Sequence, residues 1–232
     1  MKKLCIFLAL LLTLLALCAC GEIIPEEPTA VTTIPKEAAN EALAAAAAYK
    51  PVLDEFRGLV QAFRDGEQLD YDAWEALGFV EVSYYEYKEG FLGYAVTDIN
   101  NDGISEMLLL SMEPDEPFIN ALYTLKDGKP VMLGHYWSRS RAHLAADGTI
   151  YTVGSSSAWS TYLDSYALEP GAGELTHLSE YYMDADDNET PFWVKVVNGE
   201  ETDIPEEDFG ALLVEYEAPG ELMRLAFVSI EQ

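Results

Sequence analysis

The sequence predicts an α+β protein in which an N-terminal helix packs on an antiparallel β meander. Two observations carry this. Val52, Leu53, Phe56, Leu59, Val60 and Phe63 recur at helical spacing and form one apolar stripe. From Phe91 onward, strand-length apolar and aromatic runs alternate with turn signals: Asp102-Gly103, Asp127-Gly128, Asp147-Gly148, Pro170 to Gly173, and Asn198-Gly199. No long helical pattern interrupts these runs, so successive hairpins should form one twisted sheet, an open barrel or a few propeller-like blades.

In chain order, the first segment reads MKKLCIFLALLLTLLALCAC before Gly21. Lys2 and Lys3 form a positive head, and an apolar run broken only by Thr13 ends in cysteines. The run is short and one-sided for a transmembrane span. Its ending resembles a bacterial lipoprotein signal. Small Ala19 suits the residue before a cleaved bond better than Leu17 does, so the resemblance makes Cys20 the lipidation site and residues 1–19 the signal peptide. An ordinary secretory signal with incidental cysteines, or an uncleaved anchor, is the alternative. The resemblance implies a cell-membrane protein on the extracytoplasmic face, held by N-terminal acyl chains such as palmitate.

Residues 20–36 carry three prolines among small polar residues and read as anchor and spacer. Residues 37–66 form the helical segment: an alanine-rich stretch, Pro51 at a second helix start, and Gly66 as its stop. Asp54, Glu55, Arg57 and Arg64 on the polar face are not the lysine-rich set of a membrane-surface helix, so the stripe should dock on the body. Residues 67–232 form the β-rich domain. Asp70 to Leu77 reads as a short helix ended by Gly78, whereas the FVEVSYYEYK stretch fits strand or helix. The runs YAVTDI, ISEMLLLS, INALYTL, PVMLGHYW, RAHLA, TIYTVG, STYLDSYAL, ELTHLSEYYM and FWVKVV are the expected strands. The segment from Pro205 to Gln232 reads as a short helix and a closing strand.

Composition removes several function classes. The net charge is −28, and loss of Lys2 and Lys3 makes it −30. So acidic a body repels nucleic acid and anionic lipid heads, so membrane attachment falls to the acyl chains. All three cysteines, Cys5, Cys18 and Cys20, lie in the signal region, which leaves no disulfide framework, thiol nucleophile or cysteine-ligated zinc in the body. His135, His143 and His177 are far apart in sequence and argue against zinc catalysis. Gly154 to Ser157 is not a nucleophile elbow and reads as a turn. No phosphate-cradling loop or dinucleotide fingerprint is present.

One motif carries chemistry. In DINNDGISE, oxygens stand at positions 1, 3, 5 and 9 as Asp98, Asn100, Asp102 and Glu106. Gly103 occupies the sharp turn at position 6, and Ile104 at position 7 can offer its carbonyl. This hard, oxygen-only set suits structural Ca²⁺ rather than zinc or copper. Position 12 is Leu109, and the flanks read as strands, so the loop is not an EF-hand. It resembles the calcium loops between strands of integrin-type and FG-GAP propeller repeats. GYAVTDINNDGISEMLLL, with the lipoprotein signal, the spacer and the YKPVLDEFR helix, also resembles uncharacterised lipoproteins of gut clostridia, a family without assigned activity. The stretch from Asp184 to Glu189 lacks the glycine and the spacing and reads as a solvated loop. Among the aromatics, Trp159 stands amid small polar residues and is the candidate for stacking a glycan or protein ligand. The expected function is a non-catalytic, membrane-anchored binding or structural module. The alternative is an extracellular hydrolase acting on glycan or peptide.

Overall fold

A computed structural model describes residues 45–67, 70–79, 88–112, 117–186 and 189–231. The signal, Cys20, the spacer, most of the alanine-rich stretch and residues 80–87 lie outside the described residues. Everything described belongs to the unit Lys36–Gln232.

A 3-10 turn, Ala47–Tyr49, leads into helix α1, Lys50–Arg64. Pro51 sits in the first turn, where its missing N–H costs no hydrogen bond. Leu53, Phe56, Val60 and Phe63 are buried, and Val52 and Leu59 pack partly against the same cluster. The polar face is solvated, with Asp54 paired to Lys50 and Arg57. Helix α2, Tyr71–Ala76, is capped by Asp70, whose carboxylate accepts from the Ala73 N–H at 3.3 Å. Gly78 ends it with φ +85°, and a Cβ there would lie 2.6 Å from the Ala121 side chain. Only glycine satisfies both the left-handed turn and that close approach. Phe56 stacks on Phe79 at 4.7 Å, and Trp74 meets Phe63 and Phe79 edge-on.

Among the described residues eleven strands follow in two antiparallel sheets, neither forming a closed barrel. The first sheet contains β1 (Leu92–Thr97), β2 (Glu106–Met112), β3 (Pro117–Lys126), β4 (Lys129–His135) and the short closing strand β11 (Val228–Ser229), in the order β11-β1-β2-β3-β4. The second contains β5 (Ser140–Leu144), β6 (Ile150–Ser157), β7 (Ser160–Ala167), β8 (Thr176–Ala185), β9 (Pro191–Val197) and β10 (Glu200–Asp203), a plain meander in reverse order.

The near-continuous apolar run of β2 has a packing cause: both faces are covered. Met107 and Leu109, with Tyr94, Ala121 and Tyr123, pack under α1 and α2. Leu108 and Leu110, with Ala95 and Leu122, pack on Ala142, Leu144 and Ile150 of the second sheet. The first sheet is thus a middle layer between the helices and the near end of the second sheet. Farther along, helix α3 (Glu206–Glu217) covers one face of the second sheet, with Phe209 and Tyr216 against Leu163, Tyr181 and Trp193.

Two local readings change. Gly154 to Ser157 is not a turn; it is the end of β6, where the Ser155 N–H donates to the Arg139 carbonyl at 2.9 Å. The chain reverses next, at Ala158-Trp159. β10 carries no apolar signal and exists as a strand only through its pairing with β9. Among the described residues, no helix is long and apolar enough to cross a membrane.

Candidate functional site

The acidic loop joins β1 to β2, and its side chains fold back on its own backbone. Asp98 accepts from the Asp102 N–H at 3.2 Å and the Gly103 N–H at 2.8 Å. Asn100 accepts from the same Asp102 N–H through Oδ1 and donates to Asp102 Oδ2 through Nδ2, both at 3.2 Å. Asp102 Oδ1 accepts from the Ile104 N–H at 2.7 Å. Asn101 at φ 59° and Gly103 at φ 86° supply the left-handed steps that turn the chain this tightly.

Glu106 turns inward and is fully buried. Its Oε2 accepts from the Ile99 N–H and its Oε1 from the Thr124 hydroxyl, each at 3.0 Å. It therefore closes the loop from beneath, tying its start to β3.

Three other elements hold the loop from outside. The Tyr49 hydroxyl donates to the Ser105 carbonyl at 2.7 Å. Gly148, in the β5–β6 turn, approaches so closely that a Cβ would lie 2.1 Å from the Ile99 carbonyl oxygen. In the β7–β8 connection, the Gly171 N–H donates to Asp102 Oδ2 at 2.8 Å, and its carbonyl accepts from Lys126 Nζ at 2.8 Å. The loop is thus fastened to the helical layer and to two connections of the second sheet.

The electrostatics are one-sided. Burial raises the Glu106 carboxyl above its usual range, and the charges of Asp102 and Asp98 add to the rise, against the Ile99 N–H and Thr124 bonds. At Asp102 burial pushes upward, but the N–H groups of Gly171 and Ile104 and the Asn100 amide outweigh it and hold the carboxyl low. Among the described residues, no ion pair involves Asp98, Asp102 or Glu106. The donor set of Asp98, Asn100, Asp102, Glu106 and the Ile104 carbonyl is oxygen-only, which fits a hard cation. The three carboxylates do not lie within 4.8 Å of one another as a group.

Trp159 stands apart from this loop, in the turn between β6 and β7. It is 53% exposed, and its backbone N–H donates to the Ser157 hydroxyl at 3.1 Å.

A second cluster escapes sequence reasoning. Asp164, His177 and Glu180 bring their ligand atoms within 4.8 Å of one another, and His177 Nε2 lies 3.1 Å from Asp164 Oδ1. Asp164 stands directly across from Glu180 on β7 and β8. The register shifts between Ser165 and Tyr166, so His177 pairs with Tyr166 and shares the face of the two acids. Only strand register with its bulge joins these residues, and sequence spacing carries no trace of it.

No family model and no curated protein matches the chain. A solved structure described as a Xanthomonas type IV secretion system related protein aligns with TM-score 0.28 and 14% identity. The alignment covers 54% of this chain and 62% of that one. A likeness at that score carries no argument about fold or function.

Proposed function

We propose that this chain is an extracytoplasmic lipoprotein, anchored through acylated Cys20, whose body is a non-catalytic binding or structural module. In this reading the loop from Asp98 to Glu106 holds one Ca²⁺, with Asp98, Asn100, Asp102, Glu106 and the Ile104 carbonyl as donors. The supporting observation is the charge without a cationic partner: three carboxylates stand on one short loop, one of them fully buried, without a cationic side chain paired to them among the described residues.

A divalent ion supplies what the chain lacks. Hydrogen bonds hold the three carboxylates in place, and the ion would offset their mutual repulsion and draw them together. Because the same loop is fastened to Tyr49, Gly148 and Gly171, tightening it stiffens the junction of the helices and both sheets. Extracellular calcium modules bind at about 0.1–1 mM, a level met outside cells and not in the cytoplasm. The lipoprotein signal and the loop therefore support each other.

Two experiments test the two halves. Cys20→Ser should abolish palmitate labelling and release the protein from the membrane fraction; labelling of the variant would overturn the anchor. Calorimetric titration should give one Ca²⁺ per chain, lost in Asp102→Ala; absence of calcium heat would overturn the loop.

A further inference from the structure

The face of the second sheet opposite α3 carries, beyond its contact with the first sheet, a second set of ligands with different chemistry. Asp164 and Glu180 are cross-strand neighbours, and the bulge after Ser165 brings His177 beside them. Tyr166 stacks on the imidazole at 5.0 Å with planes 24° apart, which fixes the ring over the acids. Among the described residues the Glu180 carboxylate makes no hydrogen bond and no ion pair, and the Asp164 carboxylate pairs with His177 alone. All three side chains spring from paired strands rather than from a loop. We propose that Asp164, His177 and Glu180 bind a first-row transition-metal dication of the Zn²⁺ type, independently of the acidic loop.

The ligand set decides the class of ion. Imidazole nitrogen with two carboxylates is a borderline set that zinc accepts at bond lengths of about 2.0–2.2 Å, whereas Ca²⁺ requires six to eight oxygens. Such bonds place tetrahedral ligand atoms about 3.4 Å apart. The Asp164–His177 pair is already at 3.1 Å, and all three groups lie within 4.8 Å, so closure needs only rotation of a side chain. Two carboxylates and a neutral imidazole also balance the charge of a dication. Burial holds the Asp164 carboxyl above its ordinary range against the His177 contacts, and the Glu180 charge adds to the rise. A cation removes both penalties.

Three protein ligands leave the fourth position of a tetrahedral ion open. Beside the cluster lies an open groove of about 460 Å³, lined by His177, Glu180, Lys195 and Asn198 among others. Water or a small exogenous ligand can complete the shell from that side.

The test is titration of the metal-free protein with ZnCl₂ by calorimetry, alongside histidine NMR. One Zn²⁺ per chain is expected, with a dissociation constant of about 1 µM or tighter. His177→Ala and Glu180→Gln should each weaken it at least about tenfold. Asp102→Ala should bind zinc like the wild type, and excess Ca²⁺ should not displace it. In the wild-type protein zinc should shift the His177 ring resonances and leave those of His135 and His143 in place, a readout that needs no variant. Absence of zinc binding, or shifts at His135 or His143 with His177 unmoved, would overturn the proposal.

Discussion

Glu106 separates the structural role of the loop from its charge. Its two oxygens satisfy the Ile99 N–H and the Thr124 hydroxyl, and both partners are buried, 1% and 2% exposed. Glu106→Ala leaves both donors without partners or water. Each such group costs about 1–3 kcal/mol, so the variant should lose about 2–6 kcal/mol. For a unit of this size each kcal/mol moves the melting temperature by roughly 2–4 °C. Glu106→Gln behaves differently. Its carbonyl can accept from Ile99, and its amide can donate to Thr124 Oγ1, so both contacts survive while the charge facing Asp98 and Asp102 disappears. In EDTA, Glu106→Gln should melt at or above the wild type, and Glu106→Ala should melt well below it, as followed by circular dichroism. Equal damage from both variants, or none from alanine, would show that the two buried contacts of Glu106 do not hold the loop.

Further outcomes follow from burial. Phe56 is fully buried and stacked on Phe79, so Phe56→Ala should cost about 3–5 kcal/mol in urea unfolding if α1 is part of the core. Alkaline stability should hold unusually far. Burial pushes the Tyr123 and Tyr166 phenols up to about 12 and raises those of Tyr49 and Tyr136 further. A phenol raised by folding contributes stability that is complete below its unfolded value near 10 and lost as pH rises through 12; tyrosinate absorbance should therefore appear late and together with unfolding. Trp159 is 53% exposed, whereas Trp137 and Trp193 are half-buried and Trp74 fully buried, so Trp159→Ala should change stability by less than about 0.5 kcal/mol and remove the most accessible component of acrylamide quenching. If Trp159 stacks a ligand, a glycan panel should quench the same fluorescence; no quenching would exclude that role.

What the sequence reveals is what local chemistry controls. The α1 stripe is legible because one face of a helix is set by spacing alone. Asp127-Gly128 and Asn198-Gly199 are legible because each pair takes positive φ at both positions, 53° and 70° in one and 53° and 78° in the other, as two-residue hairpins demand. The Ala158-Trp159 turn carries no such residues, so the serines before it mislead. β10 is missed because Glu200–Asp203 is wholly exposed and draws its order from its partner strand. The loop's own residues are plain in sequence, but its fastening to Gly171 spans 69 positions and depends on how the two sheets meet. The Asp164, His177 and Glu180 cluster is hidden for the same reason: a bulge in register decides its membership, and no residue pattern announces it.

Calcium binding at the acidic loop is read directly by thermal melting of the wild type and Asp102→Ala in excess Ca²⁺ and in EDTA. With a dissociation constant of about 0.1–1 mM, about 10 mM Ca²⁺ stabilises by about 1.4–2.7 kcal/mol, which raises the melting temperature by roughly 3–10 °C. The wild type should show that rise and Asp102→Ala should not. An identical melting temperature for the wild type in calcium and in EDTA would mean that the loop holds no Ca²⁺.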